Sequence, residues 1–111
     1  MNLGETLGVD PVVLADVMNT STAKSWSCEV NNPHPEVAAT KGSPASRDYE
    51  GGFGTKLMLK DLGLAVNAAT EAGVALPITS ASKELYKLAD AHGLGGKDFG
   101  VMLQFLRGQT K

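Results

Sequence analysis

The sequence predicts an all-α domain, and three observations predict it. Apolar residues recur at helical spacing in several segments. Prolines and capping residues precede those segments, and glycines follow them. Nowhere do apolar and polar residues alternate as they do along a strand. No repeat period is visible. The pattern gives about five or six helices in one domain of 111 residues, long enough to bury roughly two-thirds of its unfolded surface.

Residues 1–7, MNLGETL, read as the end of a helix. Met1, Leu3 and Leu7 share one face, and Gly8 supplies a left-handed stop. So short a turn is marginal alone, which suggests the tail of a longer helix. Asp10 is a suitable N-cap and Pro11 a suitable first residue for a second helix, with Val13, Leu14, Val17 and Met18 as its buried stripe. Ser21 is the expected cap of a third, with Trp26 as a large buried anchor.

Residues 31–54, NNPHPEVAATKGSPASRDYEGGFG, hold three prolines and four glycines, and no periodicity survives there. Such stretches are functional loops or linkers; Tyr49 and Phe53 favour an ordered loop, because linkers avoid aromatics. A long helix then runs from Thr55 to Ala72 and stops at Gly73. Its small residues, Gly63, Ala65, Ala68, Ala69 and Ala72, let another helix come close. Pro77 with Thr79 or Ser80 opens the next, with Ala81, Leu85, Leu88, Ala89 and His92 on one face and Gly93 at its end. After the GLGG turn, Asp98 opens the last helix, with Phe99, Met102, Leu103 and Leu106 inside and Gly108 closing it.

Composition excludes several function classes. Net charge is −2, from 10 basic and 12 acidic residues, and no basic stripe is interleaved with aromatics, so nucleic acid is not an expected partner. A single cysteine, Cys28, and two histidines without ligand spacing predict neither a disulfide nor a metal site, and suggest a reducing compartment. No run approaches the ~18 apolar residues that cross a bilayer, and the N-terminal stretch has neither a signal-peptide pattern nor an Arg-rich one, Arg47 being the first arginine.

The stretch that raises a chemical question is GGFGTKLMLKDLGLA, residues 51–65. Lys60 and Asp61 sit among Leu57, Met58, Leu59, Leu62 and Leu64. Lys60 shares a stripe with Leu57 and Leu64, and Asp61 lies beside it. Adjacent helical residues are turned about 100° apart, so the two are not expected simply to neutralise each other. One reading is a solvated stripe, the commoner fate of Lys and Asp. The other places Lys60 at the mouth of a cleft, offering an ammonium to an anionic ligand. Gly51, Gly52 and Gly54 would then let backbone approach that ligand, and Phe53 would form an apolar wall.

The other candidates are weaker. His34, between two prolines, reads as a loop residue, and His92 as a helix-terminal residue favoured by the dipole. Cys28 has Lys24 one turn away but reads as a buried structural thiol. Ser21, Ser25 and Ser27 have no readable His or Asp partner. Residues 93–96 follow a helix rather than a strand and are no phosphate loop, and no G-x-G-x-x-G occurs.

GGFGTKLMLKDLGLA occurs here with MNLG, LGVDP, MNTSTAKSWS, NNPHPEV, PASRDYEGGF and KDFGVMLQFLRG in order and spacing. Together these closely resemble the 3-hydroxyisobutyrate dehydrogenases of the broader β-hydroxyacid dehydrogenase family, over essentially the whole chain. KDLGLA marks the broader family; the NNPHPEV loop and the LQFLRG end point to the hydroxyisobutyrate branch. The resemblance implies a two-domain enzyme, in which a Rossmann domain and a long helix precede an all-α C-terminal domain that covers the substrate and builds a dimer or tetramer. Residues 1–111 would be that C-terminal domain alone, an NAD-binding, substrate-covering and oligomerisation domain built as a helical bundle like that of 6-phosphogluconate dehydrogenase-like enzymes, with the Rossmann domain missing.

The implied reaction is NAD-dependent oxidation of 3-hydroxyisobutyrate to methylmalonate semialdehyde in valine catabolism, in the mitochondrial matrix of a eukaryote or the cytoplasm of a bacterium. Lys60 matches the family lysine that contacts NAD, Phe53 would line the pocket beside nicotinamide and substrate, and Asp61 would lie next to the substrate and orient Lys60; Lys56 is outside the reactive position. The family's acid/base lysine, its substrate-binding serine–glycine pair and its Gly-rich cofactor turn have no counterpart here, so no catalytic residue is expected and the chain alone would be inactive. Met1, Leu3 and Leu7 would then join an apolar patch prone to self-association. The competing reading is a stand-alone helical dimerisation module without catalysis; a weaker one is a relative acting on another small hydroxyacid, such as glycerate.

Overall fold

The computed structural model describes residues 1–109. Among these residues seven α-helices follow one another: α1 (Asn2–Thr6), α2 (Pro11–Asn19), α3 (Trp26–Glu29), α4 (Pro35–Lys41), α5 (Thr55–Ala72), α6 (Pro77–Ala89) and α7 (Met102–Leu106). A 3₁₀ turn, Pro44–Arg47, lies between α4 and α5, and another, Phe99–Val101, runs into α7. A widened helical turn, Asp90–Leu94, extends α6 to Gly93, whose φ of 83° ends the helical path. Among the described residues there is no strand, and one antiparallel bridge joins Gly54 to Asp98.

Local chemistry explains most boundaries. Asp10 caps α2 by accepting from the backbone N–H groups of Val12 (2.9 Å) and Val13 (3.0 Å), with Pro11 at the first position. Gly8, Gly73 and Gly108 have positive φ where α1, α5 and α7 stop. The cap of α3 is Ser25 rather than Ser21: its Oγ accepts from the Cys28 N–H, while the Ser21 hydroxyl donates to the Met18 carbonyl. Residues 31–54 are more regular than their composition suggests. α4 starts at Pro35, buries Val37 and Ala38, and ends at left-handed Gly42; at seven residues it is too short to register as a periodic pattern.

The core is small: Ala38, Ala45, Tyr49, Ala89, Leu94 and Val101, with Met102 and Phe105 packed against it. It gathers α4, the first 3₁₀ turn, the end of α6 and the start of α7. α6 folds back along α5, and at Gly63 an added Cβ would lie 3.9 Å from the Lys83 stem. Yet Thr55 is the one buried residue of α5, and Ala89 that of α6. The expected stripe on α2 is also turned: Pro11 and Ala15 are buried while Val13 and Val17 face outward. Trp26, expected inside, is 61% exposed, and Leu3, Leu7, Leu64, Ile78, Leu88 and Leu106 are also exposed. The two long helices present faces that nothing among the described residues covers.

α1 is tied down by charge rather than by burial. The Glu5 carboxylate pairs with the Arg107 guanidinium and lies 3.3 Å from Nε2 of buried His34, and Arg107 Nε donates to Asn2 Oδ1 (2.9 Å). His34 is not a free loop residue: its Nδ1 accepts from the Glu36 N–H (3.3 Å) as the cap of α4, which leaves the proton of the neutral ring on Nε2. Burial, only partly opposed by nearby Glu36, pulls its pKa below the ordinary 6.5, and the N-terminal amine adds to the lowering. The unfolded chain therefore binds this proton more readily. The stability is fully present above pH 6.5 and is lost as pH falls toward the folded-state pKa. The melting temperature is expected to hold between about pH 8 and 7 and to decline as pH falls below 6.5, and His34→Asn, which keeps a capping side chain, should flatten that decline.

Candidate cofactor site

The lead-in to α5 lies along a template formed by residues 97–99. Thr55 N–H donates to the Lys97 carbonyl (2.8 Å), Asp98 N–H to the Tyr49 carbonyl (2.8 Å), and Phe99 N–H to the Phe53 carbonyl (2.8 Å). Asp98 is 2% exposed. Its Oδ2 accepts from the Phe53 N–H (3.0 Å), and its Oδ1 from the Asn31 amide (3.2 Å) and the Gly100 N–H (2.9 Å). Gly52 passes directly over this carboxylate with φ 73°; a Cβ there would collide with Asp98 Oδ2 and lie 2.7 Å from Pro44 Cγ. The close approach that needs a glycine is thus to Asp98. For Gly52 this corrects the expectation that the glycine makes room for a ligand.

Asp48 and Tyr49 stand side by side with φ of 54° and 60°, a conformation costly for residues with a Cβ. Lys97 holds them: its ammonium donates to the Asp48 carbonyl (2.9 Å), to Asp48 Oδ2 (2.8 Å) and to Glu50 Oε1. Hydrogen bonding to Asp48, and then to Glu50, raises its pKa. The Tyr49 hydroxyl donates to the Pro33 carbonyl (2.7 Å), and burial raises its pKa. Behind Phe99, the Tyr86 hydroxyl donates to the Phe99 carbonyl (3.3 Å), and burial, reinforced by Asp98, pushes its pKa up to about 12. Both phenols remain protonated donors, and neither is a general base near neutral pH.

Phe53 emerges from this template half-exposed, edge-on to Phe99 at 6.2 Å between ring centroids. It lines a cleft of about 320 Å³ whose walls include Trp26, Val30 and Phe99, with Lys41 and Arg47 also contributing. Arg47 is fixed there by hydrogen bonds from Nε to the Glu50 carbonyl and from NH1 to the Gly42 carbonyl. Sequence reading missed Trp26 as a cleft residue because its size suggested burial. A larger cavity, about 600 Å³, is lined by Tyr49, Lys97, Leu94 and Gln104, and no residue of α5 contributes to it.

Lys60 and Asp61 are not among the residues lining the Phe53 cleft. They lie farther along α5, Lys60 about 7.5 Å beyond Thr55 at 1.5 Å per residue. Lys60 is five residues, or about 140°, around the helix from buried Thr55, on the outward stripe with exposed Leu57 and Leu64. Contrary to expectation the two pair directly, Lys60 Nζ to Asp61 Oδ1 at 3.0 Å, because the long lysine stem bends across the helix surface. Both ends of the pair stay open to solvent, the Lys60 side chain being 60% exposed. The structure thus places Phe53 in a cleft and Lys60 with Asp61 on the adjoining open face. Among the described residues no cluster of His, Cys, Asp and Glu could hold a metal ion.

Comparison with known proteins agrees in one direction. The family model described as NAD-binding of NADP-dependent 3-hydroxyisobutyrate dehydrogenase matches residues 1–106. The chain is 50% identical over 111 residues to the probable 3-hydroxyisobutyrate dehydrogenase, mitochondrial, of Dictyostelium discoideum, covering 100% of this chain and 34% of that protein. It is 44% identical over 107 residues to the mitochondrial 3-hydroxyisobutyrate dehydrogenase of Homo sapiens, covering 96% of this chain and 31% of that one. A solved structure of Mycobacterium tuberculosis 3-hydroxyisobutyrate dehydrogenase with L-serine superposes with a TM-score of 0.85 at 37% identity, covering 95% of this chain and 35% of that one. The chain spans about a third of the length of the curated relatives it matches.

One expectation is overturned here. The fold class was a helical bundle with its nucleotide-binding Rossmann domain missing, but the family model matched over these residues is itself an NAD-binding one. The matched model thus associates NAD binding with residues 1–106, which hold no strand among the described residues and no G-x-G-x-x-G turn. The geometry of the lead-in carries its own test. Gly52→Ala combines overpacking against a buried carboxylate with a left-handed φ, and is expected to cost about 2–4 kcal/mol in denaturant unfolding, whereas Gly96→Ala, in open space, should cost under about 1 kcal/mol.

Proposed function

We propose, from the premise that this chain belongs to the NAD-binding family of NADP-dependent 3-hydroxyisobutyrate dehydrogenases, that it is the helical C-terminal domain of such an enzyme and that Lys60 and Phe53 engage the nicotinamide cofactor. The observation that carries this reading is the outward stripe of α5. Leu57, Lys60 and Leu64 are all exposed, and the helix starts two residues after Phe53. An unpartnered apolar stripe with one ammonium in it suits a ligand that is anionic and partly flat. The Lys60–Asp61 pair does not block this role. Such exposed pairs are worth about 0–1 kcal/mol, so a cofactor anion can take the ammonium while Asp61 keeps it directed.

Held by Lys60 and Phe53, the cofactor would supply the hydride acceptor for oxidation of 3-hydroxyisobutyrate to methylmalonate semialdehyde, with the hydroxyl proton passing to solvent. This chain's contribution is to hold and orient. Lys60 supplies positive charge to the cofactor, Phe53 gives an apolar wall that excludes water, and Asp61 stands beside the substrate. The Trp26 and Phe53 rings make the cleft suited to the small apolar body of the substrate, with Lys41 and Arg47 offering charge to a carboxylate. Homo-oligomer formation through the uncovered α5 and α6 faces, and a mitochondrial location like that in the names of the eukaryotic relatives, belong to the same proposal; in a bacterium the location would be cytoplasmic.

The exposure of Leu64, Ile78 and Leu88 favours a second reading, a helical dimerisation module without catalysis. One titration separates the two. NADH fluorescence is expected to report binding to the 111-residue chain, and Lys60→Ala to weaken it about 10-fold, near 1.4 kcal/mol, with the far-UV circular dichroism unchanged. Self-association without any NADH binding would favour the dimerisation module, and equal affinity of the two proteins would remove Lys60 from the site.

A further inference from the structure

We propose that Lys97 is a positioning residue for the cofactor site, acting through Phe53; this rests on the reading of Phe53 given above. Lys97 has 25% of its side chain exposed, and it lines the larger cavity rather than the Phe53 cleft. Its ammonium has three donors, and all three are used on one short segment: the Asp48 carbonyl, Asp48 Oδ2 and Glu50 Oε1. That segment is the one whose backbone runs through left-handed φ at Asp48, Tyr49, Gly51 and Gly52 before reaching Phe53.

A left-handed run containing two residues with a Cβ persists when its surroundings over-determine it. Three restraints surround this one. The Lys97 side chain grips its start, the Lys97 carbonyl accepts from Thr55 N–H at its end, and Asp98 holds Tyr49 and Phe53 between them. Glu50 is held from both sides, its carboxylate by Lys97 and its carbonyl by Arg47 Nε. Releasing the ammonium frees residues 48–50 to relax, and the shift reaches Phe53 across the two-residue link Gly51–Gly52, which is packed against Asp98 and Pro44. Lys97 thus sets where the Phe53 ring stands relative to α5 without contacting the cofactor.

The test is a double-mutant cycle read by NADH fluorescence titration of the chain, with far-UV circular dichroism as the fold control. Lys97→Met is expected to weaken NADH binding about 5-fold, Lys97→Arg to stay within about 2-fold, and Lys97→Met to add nothing in a Phe53→Ala background. Glu50→Gln, an exposed change that removes one acceptor of the clamp, should give a smaller loss in the same direction and serves if Lys97→Met unfolds. If Phe53→Ala weakens binding while neither Lys97→Met nor Glu50→Gln does, the positioning role is wrong and the Phe53 reading stands. An equal loss from Lys97→Met in both backgrounds would also overturn it, because Lys97 would then act elsewhere. If Phe53→Ala itself changes nothing, the Phe53 reading falls, and this inference with it.

Discussion

Asp98 carries a carboxylate into a place with almost no water, and the arrangement of the rest of the domain follows from how that charge is satisfied. An isolated buried carboxylate costs several kcal/mol unless it is surrounded by donors. Here the donors come from three separated parts of the chain: the Asn31 amide, the Phe53 N–H and the Gly100 N–H. Meeting that requirement draws the end of α3, the lead-in to α5 and the turn that opens α7 to one point. It also dictates composition, since Gly52 must lack a side chain to pass over the carboxylate. The neighbouring Lys97 extends the same logic to the surface, where charge holds a backbone run that would otherwise relax.

This polar knot compensates for a lean core. Six residues, three of them alanines, make the buried cluster, and the two longest helices contribute little to it. Apolar area that folding alone would hide is left outward on α1, α3, α5 and α6. Exposed apolar surface on that scale marks a face that meets something else, which accords with a chain spanning about a third of its relatives' length. Rigid presentation of Phe53 and an uncovered stripe around Lys60 are two consequences of one design: short-range polar restraint holds the lead-in, and the long helix is left free to meet a ligand or partner.

Local signals in the sequence were reliable where their cause was local. Asp10–Pro11, the Thr55–Ala72 span and the stop at Gly73 all follow from capping and glycine chemistry acting over a few residues. Burial was less legible, because it depends on partners distant in the chain. Trp26, Val13 and Val17 look like core residues by type, yet each is exposed, and among the described residues no element covers them. α4 escaped notice because its start depends on a histidine cap between prolines, a rarer device than Ser or Asp. In the candidate site, Phe53 and Lys60 could be singled out from one short stretch. Asp98 read as a helix opener, which it is for the turn at Phe99–Val101, but its hold on Asn31 and Phe53 involves separations of 67 and 45 residues that no local pattern reveals.

The central claim is that this helical domain meets a nicotinamide nucleotide along the lead-in and first turns of α5. Amide chemical-shift mapping of the isotopically labelled chain during NADH titration tests it most directly. The expected result is saturable shifts concentrated on Phe53 through Leu64 and on Trp26, with little change across α2 and α6. Shifts confined to other elements, or none at NADH concentrations well above those of the cell, would contradict it.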